Sequence, residues 1–201
     1  MIGGGIAGIS AAARLSHLGS VTVLEREAAL AYHASGRSAA LFEENYGNDA
    51  VKALNRASFA YLQSENGGVL SSRGLMLVAR AHEADQFDSD VDQMGLDRIA
   101  LDEAHELVPT LDPKVIAFAA AHDAALDIDT DLLVQNFARE VRTNSGTIVQ
   151  NAPVTAITRT ATGWEVTAGD VYEARYVINA AGAWVYEVAA MASIAPLGFQ
   201  P

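Results

Sequence analysis

The alternation of apolar and polar positions at the start of the chain predicts a β-α-β unit. Met1 and Ile2 end a strand, and a glycine-rich turn follows; residues 7–18 then place apolar side chains at helical spacing, with Gly19 as the C-terminal cap. Residues 21–25 are β-branched and almost continuously apolar, which is typical of a strand buried on both faces of a parallel sheet. We therefore expect an α/β fold.

The rest of the pattern predicts helices separated by short strands. The predicted elements are helices over residues 49–65 and 130–144, two acidic helices within residues 82–106, strands over residues 74–79, 147–150 and 176–179, and an antiparallel meander over residues 154–159, 163–168 and 171–175. No internal repeat or low-complexity linker separates these elements. Any second domain is therefore inserted within the sequence of the first.

Composition and charge narrow the class of protein. Half of the 201 residues are hydrophobic and 19% are charged, which is typical of a globular chain. The 13 Lys and Arg residues against 25 Asp and Glu residues give a net charge of −12, which disfavours binding to nucleic acid or to anionic membranes. No apolar stretch is long enough for a membrane span and no signal-peptide pattern opens the chain, so we expect a cytoplasmic protein.

Metal and thiol chemistry find no support in the sequence. The chain has no cysteine, which excludes disulfides, cysteine-ligated metals and a thiol nucleophile. Two acidic runs, residues 88–92 and 127–131, alternate carboxylates as a calcium loop does, but they lack its glycine and its final glutamate. The histidines have no partners at metal or triad spacing. We predict no metal site.

The glycine-rich turn fits a dinucleotide-binding motif, Gly3-Gly-Gly5-Ile-Ala-Gly8. In such a motif the first glycine forms the tight turn, the second lets the pyrophosphate approach, and the third allows close packing of helix and strand. Glu25 ends the second strand 17 residues after Gly8, where a carboxylate binds both ribose hydroxyls and repels a 2′-phosphate. The predicted pyrophosphate-binding residues are Gly3, Gly5, Ile6, Ala7 and Gly8. The alternative is an ordinary turn with Glu25 as a solvated strand end.

The residues after this unit favour FAD over a nicotinamide cofactor. A nicotinamide domain is expected to continue directly into another helix and parallel strand, whereas residues 31–40 are small and polar. Small side chains there let backbone amides approach a cofactor, and Arg37 and the serine hydroxyls can donate hydrogen bonds to it. The alternative is a polar loop with a helix start at Ser38. Far along the chain, the strand over residues 176–179 breaks at Ala-Ala-Gly182, where the backbone can approach the same dinucleotide.

Three blocks, in this order, resemble a known family. They are the glycine motif with Val-Leu-Glu-Arg-Glu27, the block Ser35-Gly-Arg-Ser-Ala-Ala40, and the block Asn179-Ala-Ala-Gly-Ala-Trp184 with Pro196-Leu-Gly198 after it. The chain resembles the N-terminal part of the FAD-dependent D-amino acid oxidase/dehydrogenase superfamily, and most closely its D-arginine dehydrogenase-like members. The resemblance implies FAD as cofactor and an amino acid, a small-molecule substrate, as the partner.

The resemblance also implies an architecture and a set of contacts. We expect a Rossmann-like FAD-binding domain, with a parallel sheet and a β-meander, over residues 1–46 and 123–201, and an interwoven, incomplete α+β substrate domain over residues 47–122. Val154, in the strand after Pro153, matches an adenine-side contact. The further cofactor contacts that the resemblance implies are Glu25, Arg26, Ser35, Gly36, Arg37, Ser38, Ala39, Ala40, Val154, Ala181, Gly182 and Trp184.

The implied chemistry is transfer of a hydride from the α-carbon of a D-amino acid to the flavin. The protein contributes to this step through positioning and electrostatics more than through acid–base catalysis. Tyr46 matches a position from which the family reaches its substrate, and it is the catalytic candidate; its alternative role is a packed tyrosine. Leu41 and Leu75 replace a polar ring and an acid of relatives that prefer basic substrates, which argues against a cationic side chain. Two other functions stay open: a catalytically incomplete nucleotide-binding fragment, and a flavoenzyme acting on a 2-hydroxy acid or a secondary amine.

Overall fold

The computed structural model describes residues 1–195 and 197–198. The chain divides into two compact units, one over residues 1–38 and 130–201 and one over residues 39–129. The predicted boundaries, after residues 46 and 122, fall inside the second unit, and the roles of the two segments stay predictions. Pro196 of the third family block lies outside the described residues. Within them, none of the helices combines the length and the apolar character that crossing a membrane requires.

The described elements follow one another as helices and short strands. In chain order they are α1 (Ile6–Leu15), β1 (Thr22–Leu24), β2 (Leu41–Phe42), α2 (Asp49–Ser64), β3 (Leu70–Ser72), β4 (Leu75–Ala79), α3 (Ala84–Met94), β5 (Asp97–Arg98), α4 (Leu101–Leu107), β6 (Phe118–His122), β7 (Leu126–Ile128), α5 (Thr130–Thr143), β8 (Thr147–Val149), β9 (Ala156–Arg159), β10 (Trp164–Ala168), β11 (Asp170–Ala174) and α6 (Val185–Met191).

A parallel sheet forms the centre of the first unit. β1 pairs with β8 in parallel, and Ile2 forms parallel bridges to Leu24 on one side and to Asn179 on the other. The Met1 amino group donates to the Thr22 carbonyl at 2.8 Å, and burial lowers the pKa of this amino group below its usual value. The α/β fold with a parallel sheet is confirmed.

The segment over residues 176–179 corrects one expectation. The segment meets the sheet through one parallel bridge between Asn179 and Ile2, in which Ile2 N–H donates to the Ile178 carbonyl at 2.9 Å and the Ile2 carbonyl accepts from Ala180 N–H at 2.8 Å. Tyr176 is 76% exposed. The apolar run Tyr176-Val-Ile therefore does not form the buried strand that its composition suggests, because only the end of the segment pairs with the sheet.

Helix α1 packs against α5 beside this sheet. Both helices turn an apolar face inward: Ile9, Ala12 and Ala13 are fully buried on α1, as is Val141 on α5. The predicted end of α1 at residue 18 is wrong. The helix ends at Leu15, because Ser16 forms the C-terminal cap and its hydroxyl donates to the Ala13 carbonyl at 2.6 Å.

The antiparallel meander is confirmed as β9, β10 and β11. Val166 of β10 lies opposite Ile157 of β9 and Tyr172 of β11, and Ile157 and Val166 belong to the same buried cluster as Ile2. β9 begins at Ala156, so Val154 precedes the strand in which it was expected. The meander thereby closes one side of the parallel sheet with apolar side chains.

The second unit contains two antiparallel sheets, in the orders β2-β7-β3 and β4-β6-β5. Of these strands the apolar pattern predicts only β4, because β2, β3, β5 and β7 are two or three residues long and β6, Phe118–His122, consists mainly of alanine; none of them shows a period of its own. Helices α3 and α4 occupy the acidic segment, as predicted, but α3 is not solvated all round. Phe87 and Val91 are buried, and the Phe87 ring stacks on Phe118 with centroids 5.4 Å apart.

Candidate functional site

The glycine motif between Ile2 and the first turn of α1 has no room for a side chain at two of its glycines, Gly3 and Gly8. Gly3 has φ +105°, and a Cβ there would lie 2.4 Å from the Ala180 carbonyl oxygen. A Cβ on Gly8 would lie 2.0 Å from the Gly3 carbonyl oxygen. At Gly5 the only atom within 4 Å of an added Cβ is the Ser35 hydroxyl oxygen at 3.3 Å, so no backbone atom excludes a side chain there. The tight turn at Gly3 and the close packing at Gly8 are present, and the approach of a pyrophosphate to Gly5 stays a prediction.

Helix α1 begins without a side-chain cap of its own. Its N-cap is Gly5, and the first helical amide, Ile6 N–H, donates to the hydroxyl oxygen of Ser35 at 3.0 Å. The next amides, from Ala7 and Gly8, belong to the helical turn whose N–H groups have no carbonyl partner within the helix. This end of α1 therefore presents donors and the positive end of the helix dipole.

Glu25 follows β1 and is held firmly by backbone groups. Its side chain is buried; one carboxylate oxygen accepts from Gly4 N–H at 2.6 Å and the other from Glu27 N–H at 2.9 Å. Its backbone donates to the Val149 carbonyl at 2.8 Å and accepts from Ala152 N–H at 2.8 Å. Each carboxylate oxygen has two lone-pair sites, so one acceptor site per oxygen stays available for a ligand hydroxyl.

The glycine turn and Glu25 line one cavity of the first unit, with a volume of about 270 Å³. This is close to the lower end of the range usual for small-molecule sites. The predicted site residues that line the cavity are Gly3, Gly5, Glu25, Arg26, Ser35, Val154, Ala181, Gly182 and Trp184. Segments separated by more than a hundred residues thus meet at one site, as the order of the family blocks predicts.

The same cavity has lining residues that were not among the predicted contacts. Tyr32, His33 and Ala34 lie in the segment over residues 31–40, and Ala180 and Ala183 lie in the third family block, so the sequence indicated these segments but not these residues. The other lining residues are Ile2, Leu24, Ala152, Pro153, Glu187, Val188 and Met191. For Val188 and Met191 the available signal was the spacing of apolar residues on a helix after Gly182, which is common in ordinary cores and marks no site by itself.

A cluster of aromatic and charged side chains adjoins the cavity. The Arg26 guanidinium carbon lies 5.2 Å from the centre of the Trp184 ring, and the His33 ring lies 4.6 Å from Trp184, centroid to centroid. Glu27 contacts both of these side chains, since one of its carboxylate oxygens lies 2.9 Å from His33 Nε2 and 3.3 Å from Arg26 Nε. Trp184 is therefore held between a guanidinium and an imidazole.

A family model described as DAO, FAD dependent oxidoreductase, matches residues 1–200. The chain belongs to this family. FAD is therefore the cofactor to be placed in the site, and the cofactor expected from the glycine motif and the residues after it is confirmed.

Solved structures with the same fold include several oxidoreductases. An L-α-glycerophosphate oxidase from Mycoplasma pneumoniae with FAD bound is 19% identical, with a TM-score of 0.79, over 96% of this chain and 56% of its own. An L-proline dehydrogenase from P. horikoshii is 22% identical, with a TM-score of 0.79, over 96% and 55%. A glycine oxidase from Geobacillus kaustophilus is 20% identical, with a TM-score of 0.79, over 94% and 56%. The DAO family chain described here thus spans a little more than half the length of these structures.

The cavity of this DAO family member fits FAD. A buried carboxylate with free acceptor sites suits the ribose hydroxyls, and Glu25 supplies it. A glycine at which no backbone atom excludes a neighbour, at the N-terminus of a helix, suits a pyrophosphate, and Gly5 supplies that position. Both groups line the same cavity, which is the arrangement that one dinucleotide requires.

The predicted contacts of the block Ser35–Ala40 are only in part brought to this cavity. Ser35 lines it, whereas Gly36, Arg37 and Ser38 do not. Ala34–Arg37 forms a short 3₁₀ helix, in which Gly36 N–H donates to the Ala31 carbonyl at 2.8 Å. Contrary to the alternative of a helix start at Ser38, that residue has an extended backbone.

Ala39 and Ala40 belong to the second unit. The carbonyl of Ala39 accepts from Arg73 at 3.0 Å, and the carbonyl of Ala40 accepts from Ile128 N–H at 3.0 Å. Their predicted contact with the isoalloxazine stays a prediction, as do the predicted roles of Ile6, Ala7 and Gly8 toward the pyrophosphate.

Tyr46, the catalytic candidate, also lies in the second unit. Its side chain is 65% exposed, so the alternative of a packed tyrosine does not describe it. Its backbone N–H donates to the Glu43 carbonyl at 3.3 Å, and its carbonyl accepts from the Asn55 side chain at 3.5 Å. Within the described residues, no group of three His, Asp or Glu side chains is arranged to hold a metal ion.

Proposed function

We propose that this DAO family protein is an amino acid oxidase or dehydrogenase that oxidatively deaminates a D-amino acid or a related amine. The observation that carries the proposal is the meeting of the glycine turn and the buried Glu25 carboxylate in one cavity. The blocks Ser35–Ala40 and Asn179–Trp184 resemble those of D-arginine dehydrogenase-like members, and this resemblance supports the proposal. We also propose a cytoplasmic location for the protein.

FAD, when bound, supplies an acceptor for the hydride that leaves the α-carbon of the substrate. The amine loses a proton as the hydride departs, and the resulting imino acid takes up water and releases ammonia, which leaves a 2-oxo acid. The protein holds the reactants in position for this step.

The roles of this chain's residues in the proposal follow from their positions. Glu25 accepts hydrogen bonds from the ribose hydroxyls, and its charge disfavours a 2′-phosphate. Gly5 and the first turn of α1 accommodate the pyrophosphate, with N–H groups as donors. Val154, Ala181, Gly182 and Trp184 bound the cavity around the same dinucleotide. Tyr46 orients the substrate from the second unit.

The Glu25→Ala variant tests the cofactor site. We expect the dissociation constant for FAD, measured by titration of flavin absorbance or fluorescence, to rise about 10- to 150-fold, equal to about 1.5–3 kcal/mol for lost bonds to a charged group.

Because Glu25 also accepts bonds from Gly4 and Glu27, thermal unfolding without flavin is measured in parallel. Glu173→Ala, on the exposed side of β11, is the matched control and leaves affinity unchanged. An unaltered FAD affinity in Glu25→Ala would place the ribose elsewhere.

A substrate panel tests the reaction. The flavin-loaded protein is expected to bleach on anaerobic addition of a D-amino acid, and oxygen or an artificial acceptor then distinguishes an oxidase from a dehydrogenase. The panel includes 2-hydroxy acids and secondary amines, because the fold is shared with a glycerophosphate oxidase and a proline dehydrogenase. Bleaching only with those compounds would contradict the proposal of a D-amino acid substrate.

The second candidate is a protein that binds FAD without turning over a substrate. It is supported by the position of the cavity, whose lining residues all belong to the first unit, whereas Tyr46 belongs to the second. Flavin binding without bleaching by any compound of the panel would support this second candidate.

A further inference from the structure

A buried hydrogen bond between Glu43 and His122 joins the two antiparallel sheets of the second unit. Glu43 directly follows β2, and His122 is the last residue of β6; Nε2 of His122 lies 2.8 Å from one carboxylate oxygen of Glu43. The side chains are only 4% exposed for Glu43 and 12% exposed for His122. A carboxylate so deeply buried requires partners, because leaving it unpaired costs several kcal/mol.

The remaining hydrogen bonds of Glu43 converge on the turn that carries Tyr46. The second carboxylate oxygen accepts from Asn45 N–H at 3.0 Å. The Glu43 carbonyl accepts from Tyr46 N–H at 3.3 Å and from the Asn55 side chain at 3.0 Å, and Asn55 also reaches the Tyr46 carbonyl at 3.5 Å. The side chain and carbonyl of Glu43 are thus the centre of the segment Glu43–Tyr46.

The segment Glu43–Tyr46 is fixed by the hydrogen bonds of the buried Glu43 and not by packing of the Tyr46 ring. The Tyr46 side chain is 65% exposed, so ring packing contributes little to fixing it. His122, in contrast, has its backbone fixed in the ladder between β4 and β6, opposite Leu75. The pair therefore connects a rigid strand end to an exposed turn.

We propose that His122 is a positioning residue that acts through Glu43 to fix the orientation in which Tyr46 meets the substrate. The substrate part of this statement rests on the proposed function, whereas the effect on the turn does not. Without the His122 donor, the Glu43 carboxylate turns toward water, the bond to Asn45 is lost, and Tyr46 samples several positions.

Four variants separate this role from a general effect on folding. His122→Leu removes the donor, and His122→Gln restores an N–H donor at a similar distance from the backbone. Glu43→Gln, which keeps the shape of the side chain, offers one acceptor oxygen where the carboxylate offers two, so it loses either the His122 bond or the Asn45 bond. Arg73→Gln is the control, because it breaks the exposed Arg73–Asp127 pair of the same unit without contacting the turn.

Amide hydrogen exchange of the flavin-free protein, followed by NMR, is the first measurement. We expect exchange at Asn45 and Tyr46 to become about tenfold faster in His122→Leu and Glu43→Gln, to return close to the wild-type rate in His122→Gln, and to stay unchanged in Arg73→Gln. Should His122→Leu fail to fold, Glu43→Gln decides the result. Unchanged exchange at both amides in the variants that fold would overturn the proposal.

The second measurement is the dissociation constant of the flavin-loaded protein for a D-amino acid. It is expected to rise about tenfold in His122→Leu and to recover in His122→Gln. A loosened turn with unchanged substrate affinity, in a protein whose Tyr46→Phe variant binds more weakly, would also overturn the proposal. A wild-type protein that binds no D-amino acid would instead contradict the proposed function, and the exchange rates of Asn45 and Tyr46 would still decide what His122 does to the turn.

Discussion

Gly3 and Gly8 are the residues at which the backbone of the first turn leaves no room for a side chain, while at Gly5 no backbone atom excludes one. The distinction has two different physical causes. At Gly3 and Gly8 the neighbour is a carbonyl oxygen of the protein, and it cannot move without disturbing the sheet. At Gly5 the only close atom is the rotatable hydroxyl of Ser35, so the backbone does not exclude a side chain there, and the need for glycine is proposed to come from the ligand.

Alanine substitutions at Gly8 and at Gly5 should therefore affect different properties, the stability of the fold at Gly8 and the affinity for FAD at Gly5. We expect Gly8→Ala to lower the free energy of unfolding by about 1–3 kcal/mol, because its Cβ would lie against a backbone oxygen. Gly5→Ala should lower that free energy by less than Gly8→Ala does, because its only close neighbour is the rotatable Ser35 hydroxyl, and should weaken FAD binding. Urea unfolding and flavin titration measure the two effects, with Gly19→Ala, which has no neighbour within 4 Å, as the control. Equal destabilisation by Gly5→Ala and Gly8→Ala would contradict this division of roles.

At the scale of elements, α1 depends on a residue far from it in sequence. Its first amide, at Ile6, donates to the hydroxyl of Ser35 in the loop after β1, and no side chain of the N-cap Gly5 can serve instead. The sequence predicts the helix because its apolar spacing is strong, yet it does not reveal this cap. Capping by a residue 29 positions away leaves no local pattern.

Removing that cap should weaken the helix measurably. Ser35→Ala is expected to lower the free energy of unfolding by about 0.5–2 kcal/mol, because the Ile6 amide loses its acceptor. The comparison is Ser10→Ala, where the hydroxyl donates to the Ala7 carbonyl within the same helix at 3.3 Å and caps nothing. Chemical denaturation of both variants measures the difference. An equal loss of unfolding free energy in Ser35→Ala and Ser10→Ala would mean that the Ser35 hydroxyl does not act as a cap.

At the scale of the whole molecule, the cavity is assembled from segments of the first unit alone. Residues near positions 2–5, 24–35, 152–154 and 180–191 all line it, and every one of them lies in residues 1–38 or 130–201. The predicted FAD-binding segments, residues 1–46 and 123–201, include all of these. Tyr46, Ala39 and Ala40 belong to the second unit, so their proposed contacts are the ones that most need direct measurement.

FAD should accordingly protect the first unit in particular. At a free concentration of 100 times its dissociation constant, FAD is expected to raise the free energy of unfolding by about 2.7 kcal/mol. Hydrogen exchange mapped by mass spectrometry should slow most in the segments near residues 22–27 and 147–154, which lie in or beside the parallel sheet. Slowing confined to residues 70–79 and 118–128 of the second unit would contradict the placement of the cofactor.

The sequence by itself determined the nucleotide half of this protein. The spacing of Gly3, Gly5, Gly8 and Glu25 predicts the turn, the helix and the strand-end carboxylate, and the structure has each of them in place. The reason is that these features depend on local backbone requirements and on one short β-α-β unit. The sequence also predicts the meander, the parallel sheet and α5, because each of them has its own pattern of hydrophobic residues.

Only the tertiary structure decided which distant residues meet. His33 beside Trp184, Ser35 on the first amide of α1 and His122 on the buried Glu43 carboxylate join segments whose separation carries no periodic signal. The short strands β2, β3, β5, β6 and β7 became visible in the same way, since they form through pairing with partners far along the chain. Hydrogen bonds and ring contacts between such segments are settled by packing in three dimensions, and no local pattern of the chain records them.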